Sequence, residues 1–184
     1  MYQKNILREK FLNLRKKKYY EIDKEFFSPL ISLIKSHFKK ENLKLALYYP
    51  SSFEINVLKL LENKYMINKN VLLPIIEENY RMSFFPWKKN HVLLINKFGI
   101  LEPTKTKFQI PNLILVPVLA FDVKKNRLGY GKGFYDRYLN KYLKKFSKIL
   151  TVGVAFSFQK YHKIPIDKND VKLDYILTEK GIYK

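Results

Sequence analysis

The chain has 184 residues, the length of one domain or of one domain carrying a small helical arm. A hydrophobic fraction of 47 %, with 14 Tyr and 14 Phe, excludes a disordered chain, and the absence of Cys excludes disulfides, thiolate zinc sites, iron–sulfur clusters and any Cys nucleophile. A net charge of +20 favours anionic partners such as nucleic acid, an acidic membrane, a nucleotide or a polycarboxylate, although a lysine-rich composition also coats solvated faces; with three scattered His, any metal should be hard and oxygen-bound.

Residues 3–18 place Leu7, Phe11 and Leu14 at helical spacing, with Lys4, Arg8 and Arg15 on another face, which predicts a basic amphipathic helix. Glu9 within it, and the lack of an uncharged apolar run, argue against a secretory leader and for a cytoplasmic protein. A second helix is predicted over 24–39, with Pro29 near its start and Leu30, Ile34 and Phe38 along one stripe. Residues 44–49 read as a buried strand, 54–65 as a helix and 70–76 as another strand, a βαβ unit. Shorter half-exposed strands follow at 81–87 and 91–96, then a polar connection over 99–111. The strand at 113–117 opens the longest apolar run, which ends at Phe121, spans about half a bilayer and contains Pro117, so no membrane span is expected. Phe134, Tyr138, Tyr142 and Phe146 stripe a helix over 134–146, and strands at 149–156 and 173–177 close the chain. The alternation predicts a single α/β domain over residues 1–184, a three-layer α/β/α sandwich with a mainly parallel sheet and an N-terminal helical arm.

Only six residues are Gly, yet three of them, Gly129, Gly131 and Gly133, fall within Arg127-Leu-Gly-Tyr-Gly-Lys-Gly-Phe-Tyr-Asp136. Glycines at alternate positions leading into a helix let backbone N–H groups converge at a positively polarised N-terminus, which suits a phosphate. Lys132 and Arg127 add charge, and Asp136 in the first turn is placed to hold magnesium or only to complement the helix dipole. Gly133 after Lys132 rules out a Walker A loop, and neither a nucleophile-elbow serine nor a zinc-binding HExxH helix is present.

This loop, preceded by Leu113-Ile-Leu-Val-Pro-Val-Leu-Ala-Phe-Asp122, resembles the signature of the 5-formyltetrahydrofolate cyclo-ligase family, the methenyltetrahydrofolate synthetases. Lys4-x-x-Leu7-Arg8, Leu45-Ala-Leu-Tyr-Tyr49 followed by Glu54-Ile-Asn56, Phe98-Gly-Ile-Leu-Glu-Pro103 and Asp170-Val-Lys-Leu-Asp174 extend the resemblance along the whole chain. Val118 and Val57 depart from it, standing where Gly and Thr are usual.

The resemblance implies conversion of 5-formyltetrahydrofolate, with or without a polyglutamate tail, to 5,10-methenyltetrahydrofolate, with ATP as co-substrate and Mg2+. It implies that Lys4, Arg8 and the stretch Arg127, Leu128, Gly129, Tyr130, Gly131, Lys132, Gly133, Phe134 and Tyr135 bind ATP, with Lys132 and Arg127 the catalytic cations. Tyr49, Glu54, Phe98, Tyr130 and Phe134 would bind folate, and Asp136 and Asp170 the metal. A carboxylate at Glu54 suits the paired N–H donors of a pterin, although Ser51-x-x-Glu54 also reads as a helix capping box. Trp87 is a further stacking candidate or a core residue. A monomer is expected, with neither membrane nor nucleic acid as partner. Two other readings are a basic nucleic-acid-binding module, which leaves the glycine loop unexplained, and a different ATP-dependent kinase or ligase of a small acid.

Overall fold

The computed structural model describes residues 2–38, 42–146 and 148–184. Its centre is a seven-stranded sheet whose apolar runs alternate their side chains between two buried faces. In chain order its strands are β1 (Lys44–Ala46), β2 (Asn70–Ile76), β3 (Met82–Pro86), β6 (Leu113–Pro117), β9 (Leu150–Val154), β10 (Tyr175–Thr178) and β11 (Gly181–Tyr183). Their spatial order is β11-β10-β9-β6-β1-β2-β3, parallel from β10 through β2, with antiparallel edges β11 and β3. Leu45 pairs with Leu113 on one side and Val71 on the other, which seats β1 between β2 and the central strand β6.

Leu45, Leu47, Leu73, Leu115 and Val154 face a core closed by helix α2 (Ser28–His37), while Ala46, Leu72, Ile114 and Val116 face helix α3 (Phe134–Leu143). That is the predicted three-layer sandwich. Helix α1 (Tyr2–Lys18) is docked rather than projecting: Leu7 and Phe11 pack on Leu119, Ala120, Leu128 and Ile164. Its predicted phase is corrected, because Lys4 and Arg15 lie on the same buried face as Leu7 and Phe11. Positions 4, 7, 11 and 15 fall on one helical stripe.

The helix expected over 54–65 is replaced by 3₁₀ turns at Val57–Glu62 and Lys64–Met66. Asn56 and Asn63 accept hydrogen bonds from the backbone N–H groups of Leu58 and Tyr65, offering the chain local partners in place of an α-helical ladder. The second helix divides into a 3₁₀ turn, Lys24–Phe27, and α2, and its expected end at Lys39 lies outside the described residues. Short pairs complete the fold: β4 (Leu93–Ile95) with β5 (Leu101–Pro103), inside the expected polar connection, and β7 (Ala120–Phe121) with β8 (Arg127–Leu128). Buried Asp122 pins the second hairpin by accepting from the N–H groups of Lys124, Asn126 and Ile164.

Candidate functional site

Strand order runs one way from β1 to β2 and the other way from β1 through β6 and β9, so a crevice opens at the carboxyl ends of β1 and β6. The segment after β1 brings Tyr49 and Glu54 to one side of this switch point, and the segment after β6 brings the glycine loop to the other. A cleft of about 260 Å3 lies on the first side, between Tyr19, Pro50, Ser51, Ser52, Phe53, Glu54 and Asn56. The larger hollow, about 480 Å3, is lined by His37, Lys125 and Lys172 near the amino ends of β9 and β10 and holds none of the sequence-predicted site residues.

The glycine loop needs its glycines. Gly131 (φ +94°) and Gly133 (φ +68°) occupy the left-handed region, and Gly133 caps α3 with no side-chain hydrogen bond, leaving the helix N-terminus open to an anion. Arg8 lies against the loop, its Nε donating to the Gly129 carbonyl at 2.9 Å, and a Cβ on Gly131 would sit 3.1 Å from the Arg8 guanidinium carbon. Arg137 straps the other side, donating to the Lys132 carbonyl and, at 3.0 Å, to that of Tyr80. Lys132 is exposed, whereas Leu128 is buried among core residues and has only its backbone to offer.

Lys4 reaches from α1 to ion-pair with Asp170 and, at 2.7 Å, with Asp167. Burial opposes its charge, but the hydrogen bonds and charges of the two carboxylates outweigh burial and hold its pKa above the ordinary ammonium value. Arg127, 8 % exposed, is held by Asp136 Oδ1 at 2.9 Å and donates to the Val171 carbonyl; Val171 N–H also donates to Asp136 Oδ1. The two candidate metal carboxylates thus flank Val171, each engaged by a candidate phosphate cation.

Glu54 ends a tight turn in which Ser52 (φ 47°) and Phe53 (φ 63°) are both left-handed. Its carboxylate accepts from Ser51 N–H at 2.8 Å and from the Tyr130 hydroxyl at 2.6 Å, so half of the capping box forms without an α-helix behind it. Glu54 is 7 % exposed, and burial raises its pKa against hydrogen bonds from Tyr130 and Ser51 and the charge of Arg15. Tyr130, 38 % exposed, covers it from the loop, and burial beside Glu54 pushes the pKa of its hydroxyl well up. The Tyr135 hydroxyl is buried with no hydrogen-bond partner among the described residues. Tyr49 is half-buried at the head of the turn. Exposed Phe98 meets the Phe134 ring edge-on at 6.0 Å, and the Tyr80 ring lies tilted to Phe134 at 6.2 Å. Trp87 is core.

The structure therefore links Lys4 to Asp170, Arg8 to the loop, Asp136 to Arg127 at the start of the loop, and Glu54 to the loop through Tyr130. Sequence reasoning missed Asp167, Arg137, Tyr80 and the role of Arg15, although the phase of Arg15 with Lys4, Leu7 and Phe11 was a signal.

A cationic loop and a buried carboxylate at such a switch point mark an α/β enzyme that handles a small anionic molecule. The sequence profile described as the 5-formyltetrahydrofolate cyclo-ligase family matches residues 1–179. The chain is 31 % identical over 181 residues to the 5-formyltetrahydrofolate cyclo-ligase of Mycoplasma genitalium, covering 96 % of this chain and 98 % of that one. It is 33 % identical over 150 residues to the Haemophilus influenzae protein of the same name, covering 76 % and 78 %. Its fold matches the Aquifex aeolicus 5,10-methenyltetrahydrofolate synthetase with a TM-score of 0.77 and 34 % identity, covering 98 % of this chain and 92 % of that one. For the Mycoplasma pneumoniae synthetase the values are 0.68 and 26 %, covering 95 % and 97 %. The chain belongs to the 5-formyltetrahydrofolate cyclo-ligase family.

Proposed function

We propose that this protein closes 5-formyltetrahydrofolate to 5,10-methenyltetrahydrofolate at the β1–β6 crevice, using ATP. The observation that carries the reading is the adjacency of two unlike half-sites, an open helix N-terminus ringed by Arg8 and Lys132 and a buried carboxylate, Glu54, joined through Tyr130. A formamide oxygen is a poor leaving group. In the reaction proposed, that oxygen attacks the γ-phosphorus and ADP departs; folate nitrogen 10 then attacks the activated formyl carbon, loses its proton, and phosphate leaves. Such chemistry asks for positioning and charge neutralisation rather than an acid–base pair.

Glu54 would take the pterin N–H edge, with Tyr49, Phe98 and Phe134 beside the rings, while Lys4, Arg8, Arg127 and Lys132 would neutralise phosphate. Magnesium fits this donor set as a shared ion: the hydrogen bonds of Asp136 fall on Oδ1 and those of Asp170 on Oδ2, and no cluster of three or more acidic or imidazole groups exists among the described residues to cage a metal alone. Asp136 and Asp170 would hold the ion, which supplies charge neutralisation at the phosphates. The folate glutamate tail and the nucleotide are both anionic, in keeping with a net charge of +20. No helix among the described residues is long and apolar enough to cross a membrane.

The test is the near-ultraviolet absorbance of the methenyl product. The reading predicts that it rises only when ATP, magnesium and 5-formyltetrahydrofolate are all present; ATP turnover indifferent to the folate would instead favour a kinase of another acid.

A further inference from the structure

Arg15 is 1 % exposed, and no carboxylate among the described residues pairs with it. Its Nη2 donates to the Ser52 carbonyl at 2.7 Å and to the Tyr130 hydroxyl, and Nη1 makes a long 3.5 Å contact to the Val118 carbonyl. A guanidinium taken out of water needs a compensating charge, and the nearest in this chain of bonds is Glu54, one hydroxyl away through Tyr130. The same cation grips the strained 51–54 turn. Ser52 and Phe53 both sit in the left-handed region, a strained conformation for side-chain-bearing residues that persists only where surroundings fix it. Here the fixing contacts are Arg15 on the Ser52 carbonyl and Glu54 on the Ser51 N–H.

We propose that Arg15, acting through the Tyr130 hydroxyl and the Ser52 carbonyl, is a positioning residue that aims the Glu54 carboxylate and ties its placement to the glycine loop. The inference rests on Glu54 being the folate-binding carboxylate. Helix α1 then serves both half-sites: its Lys4 and Arg8 reach the phosphate end, and Arg15, on the same buried stripe as Lys4, reaches the folate end. A hydroxyl that accepts from a cation and donates to an anion is polarised in both directions, so each bond strengthens the other.

The groups facing Glu54 are Arg15 from α1, Tyr48 from the exit of β1, Tyr130 and Tyr135 from the loop and α3, and Ser51 of its own turn; the cation among them is Arg15. Burial raises the Glu54 pKa and Arg15 opposes that rise, so removing the cation must move ionisation of Glu54 to higher pH.

The experiment measures 5-formyltetrahydrofolate affinity against pH for the wild type, Arg15→Met, Arg15→Lys, Tyr130→Phe and Glu54→Gln. Arg15→Met, by losing a charge, and Tyr130→Phe, by losing a hydrogen bond, should each move the acid limb of binding to higher pH, and Arg15→Lys should bring it back toward the wild-type position. A lost packing contact alone would lower stability without moving that limb. Should Arg15→Met fail to fold, Tyr130→Phe carries the test, because it removes one hydroxyl and opens no large cavity. Folded Arg15→Met or Tyr130→Phe with an unmoved limb overturns the proposal. Glu54→Gln separates the two ideas: it should abolish the limb and weaken binding, and if it does neither, Glu54 is not the folate carboxylate and the role of Arg15 falls with it.

Discussion

Gly131→Ala perturbs the glycine loop where it lies against Arg8. The backbone there holds φ at +94°, which costs a residue with a side chain about 1–3 kcal/mol. The added Cβ would stand 3.1 Å from the Arg8 guanidinium carbon, tighter than ordinary van der Waals contact, so the end of the Arg8 side chain must shift by a few tenths of an ångström. That shift loosens the 2.9 Å bond from Arg8 to the Gly129 carbonyl, a hydrogen bond from a charged group worth at most about 1.5–3 kcal/mol. The backbone cost falls on stability or relaxes the loop, and the displacement of Arg8 falls on nucleotide binding. Titration calorimetry with magnesium-ATP should show lower affinity, by up to about 150-fold if the Arg8 contact is lost entirely, while urea unfolding shows a loss of about 1–3 kcal/mol. Gly129→Ala is the control for stability: its φ is not left-handed and no atom lies within 4 Å of its Cβ, so unfolding should change by less than about 0.5 kcal/mol. A folded Gly131→Ala protein that binds ATP as the wild type does would refute the phosphate role of the loop.

Three further outcomes follow from the same geometry. Glu54→Gln should lower folate affinity by about 1.5–3 kcal/mol with ATP affinity nearly untouched, read by calorimetry with each ligand separately. Asp136→Asn should cost about 2–3 kcal/mol of stability, because its partner Arg127 is left buried without its carboxylate, and should also abolish magnesium-dependent turnover; normal stability by denaturant titration would contradict the ion pair. The Lys4–Asp167 contact sets a pH window for docking of α1: the pKa of Lys4 is raised, so its contribution holds at neutral pH and is lost as pH climbs through that raised value, whereas Asp167 is held below its usual value by Lys4 and its contribution is lost as pH falls through the lowered one. Protease cleavage within residues 2–18 should therefore be slow at neutral pH and accelerate at both extremes.

The parallel core was legible because its strands are continuous apolar runs, as at Leu113–Pro117, and strands buried on both faces must be. Less was legible where local side chains overrule the pattern. Asn56 and Asn63 turn a helical period into 3₁₀ turns, and Asn96 accepts from the N–H groups of Phe98 and Ile100 to fold a polar stretch back into the β4–β5 pair. Strands of two residues, such as β7 and β8, carry no period at all and exist because Asp122 pins their turn. In the candidate site the glycine cluster stood out by scarcity, and the family signature brought in Lys4, Arg8, Glu54 and Asp170. Arg15 did not stand out, since a cation on a lysine-rich helix reads as solvated until the turn at Ser52 and the Tyr130 hydroxyl close around it. Asp136 stood out for a metal, but its ion pair with Arg127, nine residues away in sequence, needed the fold.

In the reaction proposed, this crevice closes the folate ring by transferring the formyl oxygen to the γ-phosphate of ATP. An 18O label placed in the formyl group of 5-formyltetrahydrofolate can be followed while the methenyl absorbance develops. One labelled oxygen should appear in the inorganic phosphate for each methenyl product formed. Label appearing in solvent water, or methenyl product forming without phosphate release, would contradict it.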